Sequence, residues 1–189
     1  MAQITEVPPP GKRKTPMREI IETVILALVI ALVIRTWVVE VYRVQGLSME
    51  STLHHGERVL VNKFLYAWVR SPRPGDIVVF RYPRQPDRDF IKRVVGVAGD
   101  KVEIKAGRVY VNGRQLPEAP TVRASDQDFP VATVPENSVW VLGDNRNNSE
   151  DSRYFGEVPL GNIRGEAFFR IWPPLRASGF VNPVAEAGK

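Results

Sequence analysis

An unbroken apolar run, Val24-Ile25-Leu26-Ala27-Leu28-Val29-Ile30-Ala31-Leu32-Val33-Ile34, lies near the start of the chain. A helix built on it has no polar face, so it must be covered all round, by protein or by lipid. The run is short for a bilayer span, which takes about 20 residues. Extension over residues 20–39 reaches that length and takes in Glu22 and Arg35 near its ends, where long side chains can reach the headgroups. Trp37 and Tyr42 then fall where an interfacial aromatic belt belongs. A cleaved secretory signal would show small residues after the run, and Arg35-Thr36-Trp37-Val38-Val39 offers none. A buried core helix is the other rival. The sequence therefore predicts a single transmembrane anchor at 20–39. Lys12, Arg13, Lys14 and Arg18 precede it, which keeps the N-terminus cytoplasmic and exports the rest. Residues 1–19 are expected to be a basic, Pro-rich cytoplasmic tail, disordered through Pro8-Pro9-Pro10-Gly11.

From Val38 onward nearly every signal is β. Residues 58–64 alternate, 76–80 follow a Pro74-Gly75 turn, and 90–97 are rich in branched side chains. Residues 101–105 and 109–111 read as a hairpin through Ala106-Gly107, and Asn112-Gly113 turns the chain back into 114–116. Residues 117–135, polar and Pro-containing, read as a long loop. Strands at 139–142 and 167–172 complete the set, and the chain after Pro173-Pro174 reads as loosely ordered. The expectation is a mainly β fold: the anchor, one β-rich domain at 40–175 of antiparallel sheets, sandwich or partly barrel-like, and a C-terminal tail at 176–189. The 189 residues leave little room for a second domain.

The 26 Lys and Arg exceed the 21 Asp and Glu, but acids interleave with the bases, so no nucleic-acid stripe forms and no nucleic-acid partner is expected. With no cysteine the chain has no thiol nucleophile, thiolate zinc site or disulfide. Neither a metal site nor a cofactor is expected.

The segment Gly46-Leu47-Ser48-Met49-Glu50-Ser51-Thr52-Leu53 places a serine at the end of a strand-like stretch. A hydroxyl is a weak nucleophile without a base, and a plain loop serine is the rival reading. His54 and His55 are the sole histidines, adjacent in one Gly-containing turn, with no third member to orient them. A lysine is the other candidate base. Lys92 sits in Phe90-Ile91-Lys92-Arg93-Val94-Val95-Gly96, a strand in which alternation sends Lys92 and Arg93 to opposite faces, so one can point inward while the other stays wet. A buried lysine loses charge readily and can act as a base. The same residues also fit an edge strand guarded by charge. A third stretch, Gly143-Asp144-Asn145-Arg146-Asn147-Asn148-Ser149-Glu150-Asp151-Ser152-Arg153, is dense in hydrogen-bonding groups, either as surface turns or as support for a site.

Together these stretches resemble type I signal peptidases, membrane-bound Ser-Lys peptidases, from about residue 20 to residue 172. The likeness rests on the anchor, the Ser48 segment, residues 74–80 with 90–100, and residues 143–153, all in the family's order. The resemblance implies an all-β catalytic core at the membrane, with Ser48 as nucleophile and Lys92 as general base. It implies Ser149 as the lysine-orienting hydroxyl, Asp151 and Arg153 as a bracing ion pair, and Asp144, Asn145 and Arg146 as structural parts of the loop. The Ser48 backbone N–H would serve the oxyanion, while Val44, Met49, Leu53, Phe90 and Ile91 would line substrate pockets. Partners would be exported preproteins, membrane lipid and, functionally, the protein-export channel, with the catalytic domain on the extracytoplasmic side of a plasma membrane or at a thylakoid membrane. Ser51 and Ala98 stand where the family usually has proline, and Gly46 leaves only backbone donors two residues before Ser48. Two alternatives are a self-cleaving repressor-type Ser-Lys peptidase, which an anchor does not suit, and an impaired relative acting as a membrane-tethered β domain that binds exported chains.

Overall fold

The computed structural model describes residues 16–33, 38–50 and 52–187. After helix α1 (Pro16–Val33) come β1 (Val39–Arg43), β2 (Arg58–Asn62), β3 (Ile77–Tyr82) and β4 (Gln85–Val97). They are followed by β5 (Lys101–Lys105), β6 (Arg108–Val111), β7 (Arg114–Gln115), β8 (Phe129–Thr133) and β9 (Ser138–Leu142). The short α2 (Ser152–Phe155), β10 (Val158–Pro159), β11 (Ile163–Trp172), β12 (Ser178–Gly179) and α3 (Pro183–Ala187) complete the chain. The large sheet runs β1-β2-β11-β3-β4-β9-β10 with β12 on β11, and the small one runs β7-β6-β5-β8. The strands pair antiparallel, and one isolated parallel bridge joins Arg123 to Asn145.

Burial follows the sequence pattern. β2 alternates, with Val59 and Val61 facing the core, whereas Ile77, Val78, Val79 and Phe80 of β3 are all buried, as suits a central strand covered on both faces. One apolar cluster packs Val59, Val61 and Val79 under Val44, Met49 and Leu53, beneath the Ser48 segment. A second joins Val95, Trp140 and Leu142 to the small sheet through Val102, Ile104 and Val109. Phe80, Val94 and Val141 centre a third on the opposite face. β4 thus lies at the middle of the molecule.

The structure corrects several expectations. The large sheet does not close into a barrel: β1 and β10 are its two ends, and the two-residue β10 stops at Pro159, which has no N–H with which to extend a ladder. The long loop at 117–135 contains β8, which pairs with β5. Residues 163–166 belong to β11, with Glu166 opposite Val78. The segment after Trp172 is built back onto the sheet through β12 and α3. The expected anchor at 20–39 lies partly outside the described residues, as does all of residues 1–15. Among the described residues no helix is long and apolar enough to cross a membrane. α1 is 18 residues long and carries Arg18, Glu19 and Glu22 in its first turns, and its side chains from Met17 to Leu32 are exposed.

Candidate active site

The turn carrying Ser48 is built before any chemistry is asked of it. Val44 N donates to Glu57 O at 2.8 Å and Gly56 N to Val44 O at 2.9 Å, closing the loop between β1 and β2. Gly46 has φ +90°, a left-handed backbone that glycine adopts without strain. Met49 and Leu53, 1% and 0% exposed, root the turn in the core, and Leu53 N donates to Met49 O at 2.8 Å. The histidines are turn scaffold: His55 Nδ1 accepts from Gly46 N at 3.2 Å, and His54 Nδ1 lies 3.6 Å from Glu50.

β4 brings the lysine to the serine. Lys92 Nζ lies 2.7 Å from Ser48 Oγ and 5.0 Å from the centre of the Phe90 ring. Its side chain is buried, and burial lowers its pKa from 10.5 to about 8, against the opposing fields of Asp151, Glu150 and Asp144. The nearby buried carboxylates are held by arginines instead, Asp144 by Arg93 and Asp151 by Arg153. Arg93 is buried too, so the expectation that one of the pair stays wet fails: β4 is covered on both faces, and Arg93 is matched inside by a bidentate partner.

Residues 143–153 hold both segments together. Arg93 Nε and Nη2 donate to Asp144 at 2.8 and 2.7 Å, and Thr52 Oγ1 donates to Asp144 Oδ2 at 2.6 Å. Asn145 N donates to Ser48 O at 3.0 Å and Asn145 Nδ2 to Leu47 O at 3.2 Å. Arg146, 1% exposed, donates to Gly143 O and pairs with Glu118. Arg153 grips Asp151 with two bonds of 2.8 Å and also reaches Arg146 O, while Asp151 Oδ2 accepts from Gly143 N at 3.1 Å. Ser149 Oγ is buried and has no hydrogen-bond partner among the described residues. A Cβ on Gly143 would stand 2.2 Å from Ser149 Oγ and 2.5 Å from Ser48 O, so the close approach of these segments requires glycine there.

A nucleophile and a desolvated amine at hydrogen-bond distance are the parts of an acyl-transfer site. Comparison with known proteins gives the family. A family model described as "Signal peptidase, peptidase S26" matches residues 17–172. The chain belongs to that family. It is a peptidase. "Signal peptidase I" of Leptolyngbya laminosa is 40% identical over 94% of this chain and 87% of its own length. "Probable signal peptidase I-2" of a Synechocystis species is 39% identical over 89% of this chain and 78% of its own. "Probable thylakoidal processing peptidase 2, chloroplastic" of Arabidopsis thaliana is 36% identical over 82% of this chain and 44% of its own.

In this S26 peptidase a cleft of about 670 Å³ opens beside the pair, with Ser48, Lys92, Val44, Phe90, Ile91 and Glu150 among its walls. Met49 and Leu53, expected in pockets, lie in the core under the Ser48 turn. Several cleft and support groups escaped the sequence reading. Tyr82, stacked 4.4 Å from Phe90, donates its hydroxyl to Glu150 at 2.5 Å on the cleft wall. Thr121 contacts Thr52 at 2.8 Å, and Arg123 N donates to Asp144 O at 2.9 Å. Those two come from the stretch read as plain loop, and no local pattern in it signals a contact with residue 144.

Proposed function

We propose that this chain removes signal peptides from exported preproteins at a membrane surface, with Ser48 as nucleophile and neutral Lys92 as general base. The carrying observation is the 2.7 Å approach of Lys92 Nζ to Ser48 Oγ inside a site where, among the described residues, no carboxylate forms an ion pair with the amine. Lys92 takes the hydroxyl proton as Oγ attacks the scissile carbonyl. The tetrahedral intermediate collapses, its C–N bond breaks, and the ammonium of Lys92 returns that proton to the leaving amine. The acyl-enzyme is then hydrolysed by a water that Lys92 deprotonates, which releases the Ser48 hydroxyl. The Ser48 N–H, which makes no hydrogen bond among the described residues, is the backbone donor for the oxyanion. Ser149, buried and without a hydrogen bond among the described residues, supplies a hydroxyl to orient Lys92 while it carries the proton. Val44, Phe90 and Ile91 give the cleft shallow apolar walls for the small residues of an A-x-A-like cleavage site.

The membrane part of the reading rests on α1, whose large apolar side chains between residues 20 and 32 are exposed among the described residues, and on the basic residues before it. Lipid is the solvent that suits such a surface. The catalytic domain then works on the extracytoplasmic side of a plasma membrane or at a thylakoid membrane, next to the export channel that delivers its substrates.

The test is cleavage of a purified preprotein by the detergent-solubilised wild type and by Ser48→Ala. Correct processing by the wild type alone is expected. Equal processing by both would reject this site.

A further inference from the structure

Residues 173–187 lie beyond the stretch that the family model matches, yet they are folded back onto the catalytic core. β12 pairs with Phe169 and Arg170 of β11, and Phe180 packs on the cluster containing Val44, Met49 and Leu53. Arg170 holds this strap and the serine segment at once. It donates to Arg176 O at 2.6 Å, to Ser178 Oγ at 3.0 Å, and to Thr52 O at 3.0 Å. Farther on, Asn182 Nδ2 donates to Pro74 O at 3.1 Å and to Asp76 Oδ1 at 3.0 Å. A Cβ on Gly75 would stand 2.0 Å from Asn182 Oδ1, so the amide fills a slot that only glycine leaves. Asn182 Oδ1 also caps α3, accepting from Val184 N and Ala185 N at 3.0 and 3.1 Å.

The turn gripped by Asn182 is fastened to the strand of the base, immediately after Lys92. Gly75 N donates to Val94 O and Val94 N to Asp76 O, both at 2.8 Å. Gly75 O accepts from Arg93 Nη1 at 2.8 Å, and the same guanidinium clasps Asp144, next to the Asn145 N–H that holds Ser48 O.

We propose that Asn182 is a positioning residue for the peptidase reaction: by locking the Pro74-Gly75-Asp76 turn it fixes β4 at Lys92 and keeps the amine in register with Ser48. The proposal rests on the Ser48–Lys92 reading above. A physical network of this kind carries coupling only if a change at one end moves the other. Loss of the lock lets β4 shift, which spoils the approach of Nζ to Oγ and admits water to the amine.

The test compares wild type, Asn182→Ala, Asn182→Ser and Ser48→Ala in preprotein cleavage, from neutral to alkaline pH, with thermal melting alongside. Asn182→Ala should lower kcat about tenfold, leave KM near wild type, and move the midpoint of the kcat profile to higher pH. Asn182→Ser retains a cap for α3 but lacks the amide donor, and should match Asn182→Ala. The proposal is overturned if Asn182→Ser restores the wild-type kcat and midpoint, since capping would then be the whole role. It is equally overturned if both variants keep them per folded molecule while only the melting temperature falls. Equal cleavage by wild type and Ser48→Ala would instead remove the dyad reading on which it stands.

Discussion

The two faces of β4 meet the same problem in opposite ways. Lys92 and Arg93 are adjacent, 4% and 3% exposed, and point to opposite sides of the sheet. On one side Arg93 finds a fully buried carboxylate with two short bonds, plus the Gly75 carbonyl. A guanidinium stays charged in proteins, and here its charge is matched, so this face is a clamp. On the other side Lys92 finds a hydroxyl and the Phe90 ring, with the two buried carboxylates nearby, Asp144 and Asp151, already held by arginines and the exposed Glu150 bonded to the Tyr82 hydroxyl. Burial without a paired anion favours the neutral amine. On the proposed mechanism, what separates the structural cation from the base is the assignment of the buried carboxylates, not the degree of burial.

The comparison can be broken most severely with Lys92→Arg, which puts a permanent cation on the catalytic face. Preprotein cleavage should fall about 10³-fold or more, at every pH, with the protein still folded. Asp144→Ala breaks the opposite face by leaving Arg93 buried and unpaired. That should cost about 3–5 kcal/mol, or on the order of 10 °C in melting temperature, and Arg93→Met combined with Asp144→Leu should lose less than Asp144→Ala alone. The smallest expected effect is the most diagnostic. Glu150 raises the pKa of Lys92 through its charge, so Glu150→Gln should move the midpoint of the kcat–pH profile below about 8 and raise activity near neutrality. A midpoint that stays put or rises would mean that the amine does not control the profile.

The strands with clean periodicity were readable in advance. β2, β3, β5, β6 and β9 lie where alternation or apolar runs place them, and Asn112-Gly113 does turn the chain between β6 and β7. β8 was hidden because Phe129-Pro130-Val131-Ala132-Thr133 contains a proline, which a strand tolerates at the edge of a sheet, where β8 lies. The polar start of β4, Gln85–Asp89, carries no apolar pattern; backbone pairing with β3 makes it a strand. The start of β11 is hidden in the sequence because Arg164, Gly165 and Glu166 carry no strand pattern, yet Gly165 lets the Asn62 backbone pass so close that a Cβ would lie 2.4 Å from its carbonyl oxygen. At the site, local context makes Ser48 and Lys92 candidates without deciding between them and a loop serine or a charged edge strand; the family resemblance singles them out, and the fold brings them to 2.7 Å. The pairing of Arg93 with Asp144 spans 51 residues, and local pattern does not announce contacts of that range.

The lysine's burial also sets an occupancy. With a pKa of about 8, only about one molecule in eleven holds the neutral amine at pH 7. Under the mechanism proposed above, the rate at pH 7 would be about a tenth of what the neutral form delivers, and each further unit of acidification would remove nearly another factor of ten. An enzyme facing a variable exterior would therefore respond to the acidity of that compartment directly, through the fraction of its molecules ready to react, with no change of shape and no second ligand.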